Sequence, residues 1–161
     1  MHPRASELIR QLGLEPHPEG GLFRRTHQST LPIRPGDARG PRHALTAIYY
    51  LLVDRGISRW HRVLSDEAWH WYEGAPLELF TAPPHGGAIV ASVLGPLSDD
   101  AAPQRIVPAS HWQAARCTGD YTLVGCCVAP GFEFADFTLL ASLPDGERPR
   151  LSPGSLFAPF L

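Results

Sequence analysis

Gly56-Ile-Ser-Arg-Trp-His61-Arg-Val63-Leu-Ser-Asp-Glu67-Ala-Trp-His-Trp-Tyr-Glu-Gly74 is the most informative stretch of the chain. Ser58–Val63 and Glu67–Tyr72 read as two short strands, rich in aromatic and β-branched residues and separated by turn formers. Side chains two apart on a strand share a face. His61 therefore aligns with Val63, Arg59 and Ile57, and Glu67 aligns with Trp69 and Trp71. Arg62, next to His61, should point the other way.

Outward from this stretch the same pattern recurs. Strand signals cover Leu22–Ser29, His43–Val53, Leu77–Ala82, Ala88–Leu94, Gln104–Val107, Trp112–Cys117, Tyr121–Ala129 and Phe137–Ser142, each bounded by turn residues. The segment 31–42 is a Pro/Gly/Arg loop. The segment 43–53 is apolar on both faces, which predicts a strand covered on both sides or placed in a subunit interface. One helix is expected near the start, with Ser6 as its cap, Leu8, Ile9 and Leu12 as its apolar stripe, and Gly13 as its end. Short strands with a single helix give an all-β domain spanning 1–161, as a sandwich, barrel or jelly roll.

Composition agrees. The 161 residues include 17 Pro and 15 Gly, too many breakers for a helical bundle. A domain of this length buries roughly 70% of its unfolded surface, so it needs no covalent staples. The net charge is −2, which lacks the basic field of a nucleic-acid surface. All 14 basic residues are Arg. No stretch is apolar enough for a membrane helix, and the polar N-terminus lacks a signal core. Cys117, Cys126 and Cys127 make a poor disulfide framework, because neighbours on a strand diverge. A reducing, cytoplasmic setting is the default expectation.

The order His61, Glu67, Gly74 resembles the first signature of the cupin superfamily, a Gly, two His at alternate positions, a Glu and a later Gly. Val63 stands where the second His would be. Pro108-Ala-Ser110-His-Trp-Gln113 resembles the second signature, with Ser110 for its Gly and Gln113 for its His. His17-Pro-Glu-Gly-Gly21, Trp60-His-Arg-Val63, Ser65-Asp-Glu67, Trp112-Gln-Ala114 and Pro130-Gly-Phe-Glu-Phe134 are similar to blocks of a group of short single-domain cupins. The resemblance implies a jelly-roll β-barrel (a double-stranded β-helix), commonly dimeric; the doubly apolar strand 43–53 is the expected interface element, since an exposed apolar edge invites aggregation.

It also implies that His61, Glu67 and Gln113 face the lumen. Family members with intact signatures hold a metal with three imidazoles and one carboxylate. Here valine offers no donor and an amide oxygen is a poor one, so His61, Glu67 and Gln113 predict at most a weakly bound divalent metal. His111 is a displaced ligand or a solvated loop-end residue. His61 and Glu67 alternatively form a proton-transfer pair, with Tyr121 as a proton donor. Trp69, Trp71 and Trp112 are expected to wall a ligand cavity, and Arg59 to bind an anionic group. His17 and Glu19 belong to a tight turn, or else cover the pocket mouth. Three functions stay open. They are acid–base chemistry on a carbohydrate-like molecule or small carboxylate, a metal-dependent oxygenase or isomerase, and a non-catalytic binding or storage module.

Overall fold

The computed structural model describes residues 1–161, the side chain of Phe157 excepted. Helix α1 spans Pro3–Leu12. Ten strands longer than two residues follow among the described residues. They are β1 (Leu22–Gln28), β2 (Thr46–Val53), β3 (Ile57–Val63), β4 (Asp66–Gly74), β5 (Leu77–Ala82), β6 (Val90–Leu94), β7 (Gln104–Val107), β8 (Trp112–Cys117), β9 (Tyr121–Ala129) and β10 (Phe137–Leu139).

They form two sheets. One runs β1-β2-β9-β4-β7, extended at its β1 edge by Glu15–Pro16. The other runs β6-β5-β8-β3-β10, extended beyond β6 by Ala101–Ala102. The short β3–β4 connection crosses from one sheet to the other, as connections in a jelly roll do.

Period-two alternation sorts the side chains into layers. Between the sheets lie Tyr50, Leu52, Trp69, Leu77, Leu79, Leu94, Val107, Ala115, Cys117, Val124 and Cys126. The outer face of the second sheet carries Trp60, Phe80, Ala82, Trp112 and Ala114, and the C-terminal segment buries it with Leu140, Leu151 and Phe160. The outer face of the first sheet is covered at one end, where Leu51 and Leu123 pack with Leu8 and Leu14.

That last contact explains the two-faced apolar character of 43–53. Thr46, Ile48 and Tyr50 look inward at a pocket, while Leu51 lies under the α1 end of the chain. Farther along the outer face, the Tyr49 ring meets the half-exposed Tyr72 at 6.1 Å.

The helix begins earlier than its sequence suggests. Pro3 fits the first helical turn, and the His2 side chain caps it by accepting from the Arg4 amide at 3.1 Å. Ser6 lies inside the helix and is not the cap. Gly13 ends it in the left-handed conformation, as expected. The last predicted strand stops at Leu139, and Leu140–Ser142 turns into a 3-10 helix.

Candidate functional site

One end of the space between the sheets opens into a small, partly enclosed pocket with a cavity volume of about 40 Å3. Its polar groups come from five elements, β1 with Arg25 among them. His61 is on β3, Glu67 on β4 and Tyr50 on β2, while His17 and Glu19 come from the turn before β1. Phe23, Ile48, Val63, Val128 and Phe132 supply apolar wall, Cys126 lies among them, and Arg25 on β1 is the one arginine of the lining.

His61 is 2% exposed. Its Nδ1 lies 2.8 Å from the Arg59 carbonyl oxygen. A carbonyl only accepts, so Nδ1 carries the hydrogen and the neutral ring keeps its lone pair on Nε2. Nε2 stands 3.3 Å from Glu19 Oε2. The same carboxyl oxygen is 3.3 Å from His17 Nδ1, and Ser58 Oγ donates to Glu19 Oε1 at 2.9 Å. The backbone N–H of Glu19 donates to His17 Nδ1 at 3.3 Å.

Burial dominates the protonation of this cluster. It pushes the Glu19 and Glu67 carboxyls up and the His17 and His61 imidazoles down, with neighbouring charges opposing only in part. Both acids and both bases are thereby drawn toward their neutral forms. The His17 and His61 ring nitrogens, both 3.3 Å from Glu19 Oε2, are the imidazole groups beside that carboxyl.

The turn that delivers Glu19 is built for the purpose. Gly20 has φ +109°, and a Cβ there would stand 2.4 Å from the Ile57 carbonyl oxygen. Gly21 has φ +68° and is packed against Tyr50, Leu51 and Leu52. Only glycine lets the turn lie this close to β3. The Arg59 amide donates to the Glu19 carbonyl at 2.8 Å. The Arg59 guanidinium reaches the Pro18 and Glu19 carbonyls. Arg59 thus braces the turn, and it is not among the residues that line the pocket.

A β-bulge accounts for this departure from alternation. Along β3–β8, Gln113 pairs with His61 but Ala115 pairs with Ser58. The extra residue on β3 reverses the parity upstream of His61. Ser58 therefore reaches Glu19, and Arg59 does not share the His61 face as strict alternation requires.

Glu67 makes a different connection. Gln113 Nε2 donates to Glu67 Oε2 at 2.6 Å, and Trp69 Nε1 donates to Gln113 Oε1 at 3.0 Å. The indole N–H is a donor only, so it sets the orientation of the amide. Glu19 is the carboxyl within ion-pair distance of the His61 ring nitrogen, whereas Glu67 hydrogen-bonds Gln113 and acts on His61 as a nearby charge that partly opposes its burial.

This geometry also tests the metal-binding expectation. The cupin positions are His61, Val63, Glu67 and Gln113. Val63 has no donor atom, and Gln113 turns its N–H group toward Glu67 while its oxygen is occupied by Trp69. His61 Nε2 is directed at Glu19. Among the described residues, no three His, Cys, Asp or Glu are arranged to hold a metal ion. The donor set does not fit the metal centre that the family resemblance implies.

The remaining predicted residues lie elsewhere. Trp69 sits in the core beneath Gln113, and Trp71 packs against the same core. Trp112 is on the outer face of the second sheet, where its N–H donates to the Pro84 carbonyl at 3.1 Å and Arg62 lies over its ring. The aromatic walls are instead Phe23, Tyr50 and Phe132. Tyr121 packs near α1, and its hydroxyl donates to Glu73 at 3.3 Å. His111 precedes β8, with its ring nitrogen near the Ala109 carbonyl.

A family model described as Cupin superfamily (DUF985) matches residues 6–140. The chain belongs to the cupin superfamily. An X-ray structure of a Shewanella oneidensis protein is 34% identical to this cupin, covering 84% of this chain and 83% of its own, with a TM-score of 0.75. A hypothetical protein from Leishmania major is 28% identical, with 83% and 85% covered and a TM-score of 0.77. Oxalate decarboxylase from Bacillus subtilis, at 12% identity and a TM-score of 0.57, aligns over 80% of this chain and 31% of its own, and shows the fold alone. No curated protein matches the sequence. No helix among the described residues is long and apolar enough to cross a membrane.

Proposed function

We propose that this cupin binds a small molecule in the pocket between its sheets and moves a proton on it through His61 and Glu19. The supporting observation is the 3.3 Å approach of His61 Nε2 to Glu19 Oε2 at a buried pocket wall. A ligand entering there meets an imidazole whose tautomer is fixed by the Arg59 carbonyl, and a carboxyl whose proton has a nearby acceptor. Such pairs supply general acid and base in one place. An isomerisation or epimerisation needs both, because a proton leaves one carbon and returns to another position or face.

His61 accepts the proton at Nε2 in this scheme, and Glu19 supplies or receives one at Oε2. His17, whose Nδ1 accepts the Glu19 backbone N–H, holds the turn that presents this carboxyl. Glu67, held by Gln113, fixes the polarity of the neighbouring wall. The reading also retains a homodimer, with the outer face of β2 as the contact, which sedimentation or size-exclusion measurements would test.

The test is deuterium exchange into acidic C–H positions of 2-oxobutanoate and D-xylose, followed by NMR in heavy water. Wild type should accelerate exchange in at least one probe. His61→Gln and Glu19→Gln should each lower that rate by about 10²–10⁴-fold, the usual contribution of a positioned acid or base. Equal rates in wild type and both variants would overturn the proton-transfer reading.

A further inference from the structure

We propose that the ligand is a small monoanion, a carboxylate carried on a compact apolar body, with Arg25 at the pocket mouth as its charge anchor. This deepens the pocket reading above and rests on it.

The placement of Arg25 is a consequence of strand register. On β1, Phe23 pairs with Tyr50 and Arg25 with Ile48, after which a bulge at Thr26 shifts the pairing so that His27 meets Ala47. Phe23 and Arg25 therefore share the face that looks into the pocket, beside Ile48 and Tyr50. Arg25 itself is exposed, so it stands on the rim and not in the floor.

The guanidinium is uncommitted to any acid. Its Nη1 donates to the neutral amide oxygen of Gln28 at 2.6 Å, and no carboxylate among the described residues lies within ion-pair distance of it. Arg39 and Arg42, by contrast, are consumed by Asp136. A guanidinium offers five N–H donors in a fork that matches a carboxylate, and most of that fork is available at Arg25.

The rest of the lining states what the anion is attached to. Between the rim and His61 the wall is Phe23, Ile48, Val63, Val128 and Phe132, which favours an apolar body over a polyhydroxylated one. The carboxyls deeper in the pocket do not oppose an anion, because burial drives Glu19 and Glu67 toward their neutral acids. The mouth also continues into a surface groove that shares Phe23 and Arg25 with the pocket and adds Arg24, Phe134 and one acid, Glu15.

The experiment compares three probes of one shape, benzoate, benzamide and benzylamine, by calorimetry and thermal shift on wild type, Arg25→Gln and Arg25→Lys. Arg25 is a surface residue, so both variants should fold like wild type. Benzoate should bind about tenfold more tightly than benzamide, the scale of a charge-assisted hydrogen bond, and Arg25→Gln should remove that preference while Arg25→Lys keeps part of it. Equal binding of benzoate and benzamide would overturn the anion assignment and leave the pocket a small-molecule site. Preference for benzylamine would overturn it in favour of ionised carboxyls. Binding of none of the three would overturn both the anion assignment and the small-molecule reading of the pocket.

Discussion

His61 Nε2 and Glu19 Oε2 face each other at 3.3 Å across the join between a turn and a strand. Ser58 holds the other oxygen of Glu19, and the Arg59 carbonyl holds the other nitrogen of His61. Two adjacent residues of β3 therefore orient both members of the pair. Replacing Glu19 by Ala leaves the Ser58 hydroxyl buried without its acceptor and opens space beside His61. The expected loss is about 1–3 kcal/mol, the cost of an unsatisfied buried polar group, measured by urea unfolding. Glu19→Gln keeps the Ser58 bond and should cost less. Equal losses in the two variants would contradict the role given to the hydrogen bonds.

The glycine turn that carries Glu19 should tolerate no side chain. Gly20→Ala places a methyl group 2.4 Å from a backbone oxygen, in a conformation with φ +109°. Strain of this kind costs roughly 1–3 kcal/mol, and relieving it requires the turn to lift off β3. Gly20→Ala is expected to lower the melting temperature and also to shift the His61 ring signals in NMR spectra, because Glu19 moves with the turn. A destabilised variant with unchanged His61 signals would separate the turn from the pair.

The buried acids and bases act on stability in opposite directions. Burial holds Glu67 above a glutamate's ordinary 4.5. The folded protein therefore retains a proton that the unfolded chain has released, and this group costs stability as pH rises above 4.5. His61 is held below its ordinary 6.5, so the unfolded chain takes up a proton first and stability is lost as pH falls below 6.5. Glu67→Gln should thus gain stability relative to wild type as pH is raised from about 4 to about 8, since a glutamine oxygen still accepts from Gln113. Melting curves across that range test it, and a pH-independent difference would contradict it.

Asp136 ties the loop before β2 to the segment before β10. Arg42 reaches its two oxygens at 2.7 and 2.8 Å, and Arg39 reaches it at 3.2 Å. The Arg42 and Arg39 hydrogen bonds hold this carboxyl below its ordinary 3.8, so its stabilising contribution is present above that value and is lost as the solution is acidified through the lower folded value. Asp136→Asn should lower the melting temperature at neutral pH, and the gap to wild type should close in strong acid.

Restoring the family's missing donors tests the reading of the metal site. Wild-type protein purified without chelator or affinity tag should carry far less than one equivalent of divalent metal by elemental analysis. Val63→His with Gln113→His supplies three imidazoles and one carboxylate, the donor set suited to first-row metals, and should retain metal near stoichiometrically. Stoichiometric metal in wild type, lost in His61→Gln, would overturn the fit argument.

Much of this cupin follows from local pattern. The alternation of Glu67, Trp69 and Trp71, the turn residues between strands and the order of the signature blocks place the strands and the barrel. Ser110 has φ +65° where the family pattern has a glycine, so even that substitution keeps the backbone shape. Val63 and Gln113 announce from their side chains alone that the usual metal shell is incomplete. The tertiary structure decided which carboxyl meets His61. Strict alternation cannot see the bulge that sends Ser58 inward, nor that a turn far upstream folds back to bury Glu19. It also put Trp112 on the outer face of its sheet, which looks like a cavity wall until the C-terminal segment is seen to cover it, and sank Trp69 into the core beneath Gln113. Periodicity is a property of neighbouring residues. Register, bulges and the return of distant segments depend on which surfaces the whole chain manages to bury together.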